Sequence, residues 1–346
     1  MRSSTAITNI ISLELISLLA LIFLFVWDLT SSYYDTTDHF NQLDTFDQLT
    51  DSIIDCNTTE QGSHDWFDPS HSAVGGSQTA SPPKCPIDLD RLRYFDDPAL
   101  DTWLSYDHVK YGGQFEPDGC LPKQKVAIIV PYRDKQEHLE KFLLYIHQFL
   151  PDQLIDYIVF VIEQADQRAF NRMRLLNIGA SKVMEYHPDI CCFIFHEVDL
   201  LPLDQRNLYM CSRMPRHLSG SISSYRYRLL YPSLFGGVVS MSRAQYELIG
   251  GFSEIQTYNW YAADEDLIGR IVAKGLTLER TPLNYGVYIT AHYQWGNQTL
   301  VEKRESEQSK DSTLSGRQHK VLPISDEPYV VSVELKQLYT HVRCSV

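Results

Sequence analysis

Basic residues are scarce in this chain of 346 residues, in which 30 Lys and Arg stand against 44 Asp and Glu, for a formal net charge of −14. Nucleic-acid surfaces need clustered Lys and Arg to bind phosphates, so this balance argues against a nucleic-acid partner. No Lys or Arg occurs between Arg2 and Lys84. With 44% hydrophobic residues, the chain can still bury the core of one large domain or two smaller ones.

Zinc-type cysteine motifs are also missing, because none of the seven cysteines forms a CxxC pair. In an oxidising compartment, seven cysteines predict disulfides together with at least one unpaired thiol. For Cys191, a buried small apolar side chain is an equally good interpretation.

One long apolar run lies near the N-terminus, over residues 7–27, with Glu14 as its single charge. Its length is close to the ~20 residues that span a bilayer. A cleaved signal peptide is the alternative, but its apolar core usually has only ~7–15 residues. The run therefore favours an uncleaved membrane anchor. Because Arg2 precedes it, the positive-inside rule predicts a cytoplasmic tail over residues 1–6 and a lumenal remainder.

Residues 28–84 are rich in Asp, Ser, Thr and Gly and show no repeating apolar period. Such a segment cannot bury enough apolar surface to offset its chain entropy, so we expect a solvated stem. Two sequons, at Asn57 and Asn297, agree with a lumenal location, where glycosylation takes place. The folded domain is then expected over residues 85–346.

An alternation of strands and helices begins at Lys125. Continuous apolar runs over 126–132, 156–163 and 191–195 predict three strands, and helical spacing predicts helices over 137–150 and 170–186. In such open α/β sheets, ligands collect beyond the carboxyl ends of the strands.

Two acids, Glu197 and Asp199, follow the third of these strands. At that position a carboxylate could hold a hard divalent cation such as Mn²⁺ or Mg²⁺, which would neutralise a diphosphate. The alternative is a pair of solvated turn acids.

A series of distinctive blocks occurs between about Tyr111 and His292: GGQFEPDGC, KVAIIVPYRDKQEHL, FNRMRLLNIG, FIFHEVDLLP, RNLYMC, MPRHLS and FGGVVSMSRAQYELIGGF. In sequence and in order, these blocks resemble the β-1,4-galactosyltransferase family. The resemblance implies a single-pass type II Golgi membrane enzyme with a GT-A-like, Rossmann-type nucleotide-sugar-binding α/β domain. Such an enzyme transfers a sugar from a UDP-sugar to a terminal N-acetylglucosamine (GlcNAc).

The resemblance also implies a set of donor-binding residues. They are Pro131, Arg133, Phe170, Arg172, Glu197, Val198, Asp199, Leu234 and Trp260. Glu197 departs from the aspartate of the family, and Arg172 could instead be a solvated residue on a helix face. Guanidinium groups suit phosphate oxygens, which agrees with the assignment of both arginines. Two disulfides are implied as well, Cys85–Cys120 and Cys192–Cys211.

On the acceptor side, the resemblance matches Asp264 to the general base and Trp260 to the tryptophan of a mobile lid. Gly237 and Glu265 are implied to bind the acceptor. The lid glycines and one glutamate of the family are replaced here, by Asn259, Tyr261, Ala262 and Ala263. Because glycine permits backbone angles that these residues resist, we expect a lid that is stiffer or that closes along a different path. The alternative is that the acids at 264–266 only charge the first turn of a helix.

The metal implied by the resemblance is Mn²⁺, with Asp199 and His292 as its ligands. A further family ligand, methionine or histidine, is replaced by Ile289. An aliphatic side chain has no lone pair, so we expect weaker metal binding or a water in its place.

Leu234 bears on which sugar is transferred. Galactosyl enzymes of vertebrates carry tyrosine here, whereas invertebrate N-acetylgalactosaminyl members carry an aliphatic residue, so the resemblance favours UDP-GalNAc slightly over UDP-Gal. A packing role for Leu234 is the alternative. The expected function is thus β-1,4 transfer of GalNAc or Gal to GlcNAc-terminated glycans. Because several site residues are altered, a member that binds UDP-sugar or glycan, or partners an active homologue, without turnover is the alternative.

Overall fold

The fold combines strands and helices in one α/β domain. The computed structural model describes residues 40–57, 82–96, 105–254, 260–291 and 329–346. The helices are α1 (Phe46–Ser52), α2 (Gln136–Phe149), α3 (Arg172–Tyr186), α4 (Arg243–Ile249) and α5 (Trp260–Ala273). The strands are β1 (Phe40–Gln42), β2 (Gln114–Phe115), β3 (Lys125–Tyr132), β4 (Asp156–Gln164), β5 (Cys192–His196), β6 (Leu200–Pro202), β7 (Arg216–His217), β8 (Ser221–Ile222), β9 (Val238–Ser242), β10 (Leu278–Arg280), β11 (Val287–Thr290), β12 (Tyr329–Leu335) and β13 (Thr340–Ser345).

The main sheet of the described residues is mixed, with strand order β1-β10-β7-β9-β5-β3-β4-β13-β12 and β2 paired to β4. Strand β3 runs parallel to both β4 and β5, and β9 closes antiparallel on β5. A small second sheet has the order β6-β11-β8. The predicted α/β class and the three predicted parallel strands are confirmed.

Strand β3 lies at the centre of the core because both of its faces are covered. Val126, Ile128 and Val130 pack in the cluster that includes α2, whereas Ala127 and Ile129 pack in the cluster that includes α3. Alternate side chains of a strand point to opposite faces, so a strand between two helices is apolar throughout. Its carboxyl end, and that of β5, is thereby held rigidly at one edge of the sheet.

The predicted boundary between stem and domain is wrong. Residues 40–57 lie within the range assigned to a solvated stem, yet they form β1 and α1 and join the core. Strand β1 extends the sheet by pairing with β10, and Thr45 begins α1 with a capping box to Gln48. Phe46 and Leu49 of α1 are buried in the main apolar cluster. The folded domain therefore begins no later than Phe40.

Three disulfides connect the domain. The two implied pairs, Cys85–Cys120 and Cys192–Cys211, are confirmed. The third, Cys56–Cys191, joins residues 135 positions apart and fastens the end of the 40–57 segment to the start of β5. The interpretation of Cys191 as a buried small apolar residue is therefore wrong. Cys344 is the remaining thiol and is buried.

The described ranges include no helix that is both long enough and apolar enough to cross a bilayer. The predicted anchor at residues 7–27 lies outside those ranges. Membrane attachment consequently stays a prediction from the sequence.

Candidate active site

The two acids that follow β5 lie in a tight turn between β5 and β6. The backbone N–H of Glu197 donates to the carbonyl of Gly237 at 3.1 Å, and the N–H of Ala291 donates to the carbonyl of Asp199 at 2.8 Å. The turn is thus fixed between the start of β9 and the end of β11. Gly237 is required there, since it has φ +74° and an added Cβ would lie 2.6 Å from Oγ of Ser219. Both carboxylates lie at the carboxyl end of a strand, as predicted.

Each of these carboxylates contacts a cationic side chain. Nε of Arg172 pairs with Oε1 of Glu197. Nζ of Lys135 lies 3.3 Å from Oδ2 of Asp199. Arg172 is only 9% exposed, so the alternative of a solvated helix residue is wrong. Lys135 was not singled out from the sequence, although it belongs to the PYRDK motif.

Two further predicted donor residues meet in space at the end of β3. The guanidinium carbon of Arg133 lies 5.3 Å from the ring centroid of Phe170, and Nη1 of Arg133 donates to the carbonyl of Arg168 at 2.6 Å. This stacking holds the guanidinium of Arg133 against Phe170, which precedes Arg172 by two positions in the sequence. Pro131 is buried within β3, and the side chain of Val198 is buried in the core. Because the side chain of Val198 faces the core, this residue can contact a ligand only through its backbone.

Asp264 is a buried carboxylate with two hydrogen-bond donors. Its Oδ2 accepts a hydrogen bond from the Tyr231 hydroxyl at 2.8 Å and another from the backbone N–H of Phe235 at 3.2 Å. Burial raises the pKa of Asp264 to about 6, although both hydrogen bonds and the charge of Arg172 act to lower it. A carboxylate with this pKa is ionised at neutral pH and can still accept a proton during a reaction.

The position of Asp264 decides between two interpretations of the acids at 264–266. Helix α5 begins at Trp260, so these residues are beyond its first turn and the interpretation as first-turn acids is wrong. Asp264 is 5% exposed, whereas Glu265 and Asp266 are exposed to solvent. The three acids consequently have different environments, and only the first is enclosed.

The loop Phe235-Gly236-Gly237 contacts both Asp264 and the turn that carries Glu197 and Asp199. A Cβ on Gly236 would lie 3.0 Å from Oδ1 of Asp264, and the carbonyl of Gly237 accepts the hydrogen bond from Glu197. Arg172 contacts Glu197 and acts electrostatically on Asp264. The structure thus brings Arg172, Glu197, Gly237 and Asp264 into one cluster.

Leu234 precedes this loop and is held by a buried arginine. Nη2 of Arg280 donates to the carbonyl of Leu234 at 2.9 Å, and burial lowers the pKa of Arg280 to about 10. The ring of Phe40 lies 4.0 Å from the guanidinium carbon of Arg280. Residues of the segment 40–57 thereby help to fix the backbone of Leu234. Nothing in the sequence pattern indicated Arg280, Phe40 or Tyr231.

Of the residues assigned to the metal site, Asp199 and Ile289 lie within the described residues. Within the described residues, no cluster of three or more His, Cys, Asp or Glu could hold one ion. Asp199 fits a cation, since its carboxylate already faces the Lys135 ammonium. Ile289 is buried among apolar side chains. His292 and Asn297 lie outside the described residues, and the same is true of the side chain of Trp260.

Residues 97–212 match a family model described as the N-terminal region of glycosyl transferase group 7. Residues 216–294 match a second model, described as the N-terminal domain of galactosyltransferase. Together the two matches cover more than half of the chain. The chain belongs to the glycosyl transferase group 7 family, to which its resemblance to β-1,4-galactosyltransferases had pointed.

The chain is 41% identical to β-1,4-galactosyltransferase 1 of Mus musculus over 172 residues, which are 50% of this chain and 43% of that protein. It is 33% identical to β-1,4-galactosyltransferase 2 of Cricetulus griseus over 232 residues, 65% of this chain and 63% of that protein. A β-N-acetyl-D-glucosaminide β-1,4-N-acetylglucosaminyl-transferase of Lymnaea stagnalis is 40% identical over 196 residues, 55% of this chain and 39% of that protein. The match spans less than two thirds of each relative.

Among solved structures, the chain is similar to Drosophila β1,4galactosyltransferase 7, a mutant of which was crystallised with manganese, UDP-Gal and xylobiose. The identity is 24% and the TM-score 0.49, over 64% of this chain and 94% of that one.

Proposed function

We propose that this chain is an inverting β-1,4-glycosyltransferase with a GT-A-like domain, which moves GalNAc or Gal from a UDP-sugar to a terminal GlcNAc. The observation that carries the proposal is the enclosed carboxylate of Asp264, with a pKa of about 6, beside the Arg172–Glu197 ion pair. A base on the acceptor side and cations on the side of the leaving group are what an inverting transfer needs.

The proposed reaction assigns a role to each of these residues. Asp264 takes the proton from the 4-hydroxyl of the acceptor, whose oxygen attacks C1 of the donor sugar while the bond from C1 to the UDP oxygen breaks. Tyr231 holds the carboxylate in position through its hydrogen bond. Arg133, Arg172 and Lys135 provide positive charge for the diphosphate. Mn²⁺, held by Asp199 and His292, would supply further charge neutralisation when bound.

The proposed donor is UDP-GalNAc, with UDP-Gal as the competitor. Leu234 supports this choice, because an aliphatic side chain before the Phe235-Gly236-Gly237 loop leaves more room for an N-acetyl group than tyrosine would. The name of the Lymnaea relative, an N-acetylglucosaminyl-transferase, also favours a 2-acetamido sugar. Differences in pocket size of this kind are worth ~1–3 kcal/mol of discrimination.

The test is a donor panel on the purified lumenal part of the chain. UDP-Gal, UDP-GalNAc and UDP-GlcNAc are each offered with a GlcNAc-terminated acceptor, with Mn²⁺ or with EDTA. We expect transfer that is fastest with UDP-GalNAc and depends on Mn²⁺. Absence of transfer from all three donors would contradict the proposed enzyme.

A binding protein without turnover is the second candidate. The observation that favours it is the placement of Trp260, Tyr261, Ala262 and Ala263 in the first turn of α5, where the family has a glycine-rich lid. Calorimetry with UDP-GalNAc and Mn²⁺, run beside the transfer assay, separates the two. Binding of UDP-GalNAc without any transfer would identify the non-catalytic member.

We also propose that residues 7–27 anchor the chain in the Golgi membrane with residues 28–346 in the lumen. Glycosylation of Asn57 or Asn297, detected as a mobility shift after glycosidase treatment of the cellular protein, tests this topology. Localisation by microscopy of a tagged full chain tests the compartment.

A further inference from the structure

The loop between β4 and α3, residues 165–171, supports three residues that were assigned to donor binding. Phe170 belongs to the loop, and the carbonyl of Arg168 accepts the 2.6 Å hydrogen bond from Arg133. Arg172 begins α3 directly after the loop. The loop residues, all of which the structure describes, belong to no helix or strand. Other contacts must therefore fix their conformation.

The carboxylate of Asp166 fastens this loop to the end of β13. Its Oδ1 accepts hydrogen bonds from Nε2 of Gln164 and from the backbone N–H of Arg168, both at 2.9 Å. Its Oδ2 accepts one from the hydroxyl of Ser345 at 2.8 Å and one from the backbone N–H of Val346 at 2.6 Å. One oxygen thus binds the loop and its start, and the other binds residues 179 and 180 positions away in the sequence.

The carboxylate of Asp166 is ionised at neutral pH. Burial acts to raise its pKa, but its hydrogen bonds outweigh burial and lower the pKa to about 2. Hydrogen bonds to an ionised acceptor are roughly twice as strong as those between neutral groups. The link between the loop and β13 is therefore stronger than neutral side chains would make it.

Two further contacts join the loop to the same part of the chain. The backbone N–H of Ala165 donates to the carbonyl of Cys344 at 2.8 Å, which continues the parallel pairing of β4 with β13. Nη1 of Arg168 donates to the backbone oxygen of Val346 at 3.2 Å. The side chain of Val346 is buried in the apolar cluster that includes α3. The end of β13 is thus anchored in the core and gives the loop a rigid support.

Gln164, the last residue of β4, carries this support to both neighbours of Phe170. Its side chain is 1% exposed. Its Nε2 also donates to the carbonyl of Ala169 at 3.2 Å, and its Oε1 accepts a hydrogen bond from the backbone N–H of Asn171 at 3.0 Å. The side chain of Asn171 in turn caps α3. The backbone is therefore fixed immediately before and after Phe170.

We propose that Asp166 is a positioning residue for the donor nucleotide, which fixes the loop before UDP binds by fastening it to Ser345 and Val346. The proposal rests on the proposed function for the identity of the nucleotide. Because Phe170 and Arg133 are then already ordered, binding of UDP costs less conformational entropy. The four hydrogen bonds of this carboxylate connect only the loop, the end of β4 and the chain around Val346, so its loss should leave acceptor binding unchanged.

The experiment compares two variants with one matched control in the purified full chain. Asp166→Ala removes all four hydrogen bonds, whereas Ser345→Ala removes one of them and leaves the carboxylate in place. The control is Glu163→Gln. Glu163 also pairs across β4 and β13, with His341 and Arg343, but its side chain points to the other face of β4.

Three quantities are measured for each form. Hydrogen–deuterium exchange of residues 165–171 without any ligand reports the order of the loop. Calorimetry with UDP and Mn²⁺ gives the Kd for UDP. The transfer assay gives the KM for UDP-GalNAc and the KM for GlcNAc separately, so that an effect on the donor side is distinguished from a general loss of structure.

We expect the Kd for UDP to rise about tenfold in Asp166→Ala, equivalent to about 1.4 kcal/mol. In Ser345→Ala, which loses a single hydrogen bond, the rise should be about threefold. The KM for UDP-GalNAc should rise by the same factors while the KM for GlcNAc is unchanged, and loop exchange should be faster in both variants. Glu163→Gln should match the wild type in all three measurements.

Wild-type affinity for UDP in both variants, or an equal rise in the two KM values, overturns the positioning role. If Asp166→Ala does not fold, Ser345→Ala decides alone, and a Kd for UDP equal to that of the wild type overturns the proposal. A wild-type chain that transfers no sugar, yet binds UDP more tightly than Ser345→Ala does, would contradict the proposed enzyme and uphold the positioning role.

Discussion

The hydroxyl of Tyr231 donates a 2.8 Å hydrogen bond to Oδ2 of Asp264, and this bond opposes the effect of burial on the carboxylate. Burial disfavours the ionised form and raises the pKa, whereas a hydrogen bond to the ionised form lowers it. The two effects together leave the pKa of Asp264 at about 6.

Tyr231→Phe is therefore expected to raise the pKa of Asp264 further. The acid limb of the profile of kcat/KM against pH, expected near pH 6 in the wild type, should move upward by about one pH unit, equivalent to about 1.4 kcal/mol. The measurement is the rate of transfer between pH 4.5 and 8.5. An acid limb that stays in place, or moves downward, would show that this hydrogen bond does not control the base.

Asp264→Asn should slow transfer strongly and stabilise the fold at neutral pH. The pKa of Asp264 is raised from 3.8 to about 6 in the folded state. The contribution of this group to the stability of the folded state is therefore fully present below pH 3.8 and is lost as the pH rises through 6. The variant should lose about 10²- to 10⁴-fold in kcat. Its free energy of unfolding at pH 7.5 should exceed that of the wild type by on the order of 1–3 kcal/mol.

Thermal unfolding at pH 7.5 and pH 4.5 measures this difference, which should narrow at the lower pH. Asp266→Asn is the control, because Asp266 is an exposed acid on the same helix. If Asp264→Asn transfers sugar at the wild-type rate, the assignment of the base is wrong.

Asp199→Ala should remove Mn²⁺-dependent transfer while the protein stays folded, because the charge left without its partner is that of Lys135, whose side chain is 46% exposed and remains solvated. We expect a loss of at least 100-fold at saturating Mn²⁺, of order 3 kcal/mol. The matched control is Asp189→Ala, whose carboxylate is also paired with a lysine, Lys125, but lies at the other end of the strands. Equal rates in wild type and Asp199→Ala, with or without EDTA, would rule out this carboxylate as a metal ligand.

Leu234→Tyr is expected to change donor preference from UDP-GalNAc toward UDP-Gal. A tyrosine at this position would crowd the acetamido group, so the ratio of kcat/KM for the two donors should fall by roughly 10- to 200-fold. Leu234→Ile, of equal volume, should leave the ratio within about threefold. The ratio is measured with both donors in competition, and an unchanged ratio in Leu234→Tyr would make Leu234 a packing residue only.

The N-terminal boundary of the domain gives a prediction about truncated forms. A chain that begins at residue 85 lacks β1, α1 and the Cys56–Cys191 disulfide. It exposes the surfaces that Phe40, Phe46, Leu49 and Ile53 cover, and each such buried side chain contributes about 1.5–3 kcal/mol. We expect this form to aggregate or to unfold well below the temperature of a form that begins near residue 35. Equal secretion and equal unfolding temperatures would show that residues 40–57 are dispensable.

The extent to which the site could be predicted differs among its residues. Arg133, Phe170, Arg172 and Asp264 lie in short motifs, and the family resemblance assigned them. The position of Asp199 after a strand indicated a cation ligand before the resemblance did. Lys135 belongs to one of those motifs, but only its contact with Asp199 in the folded protein indicated that it is part of the site. Tyr231 and Arg280 belong to no motif, because their contribution depends on contacts with residues far away in the sequence.

The amino-acid sequence by itself determined the central strands and their two helices, because unbroken apolar runs and helical spacing are local patterns. Through motifs that resemble the family, it also indicated the residues of the proposed nucleotide-sugar site and implied two of the three disulfides. The tertiary structure alone decided that residues 40–57 belong to the domain. Their apolar period is too short to be recognised, and their burial depends on distant partners such as Arg280 and Cys191. It likewise decided which acid of 264–266 is enclosed, since burial is a property of the packed chain and not of the sequence around one residue.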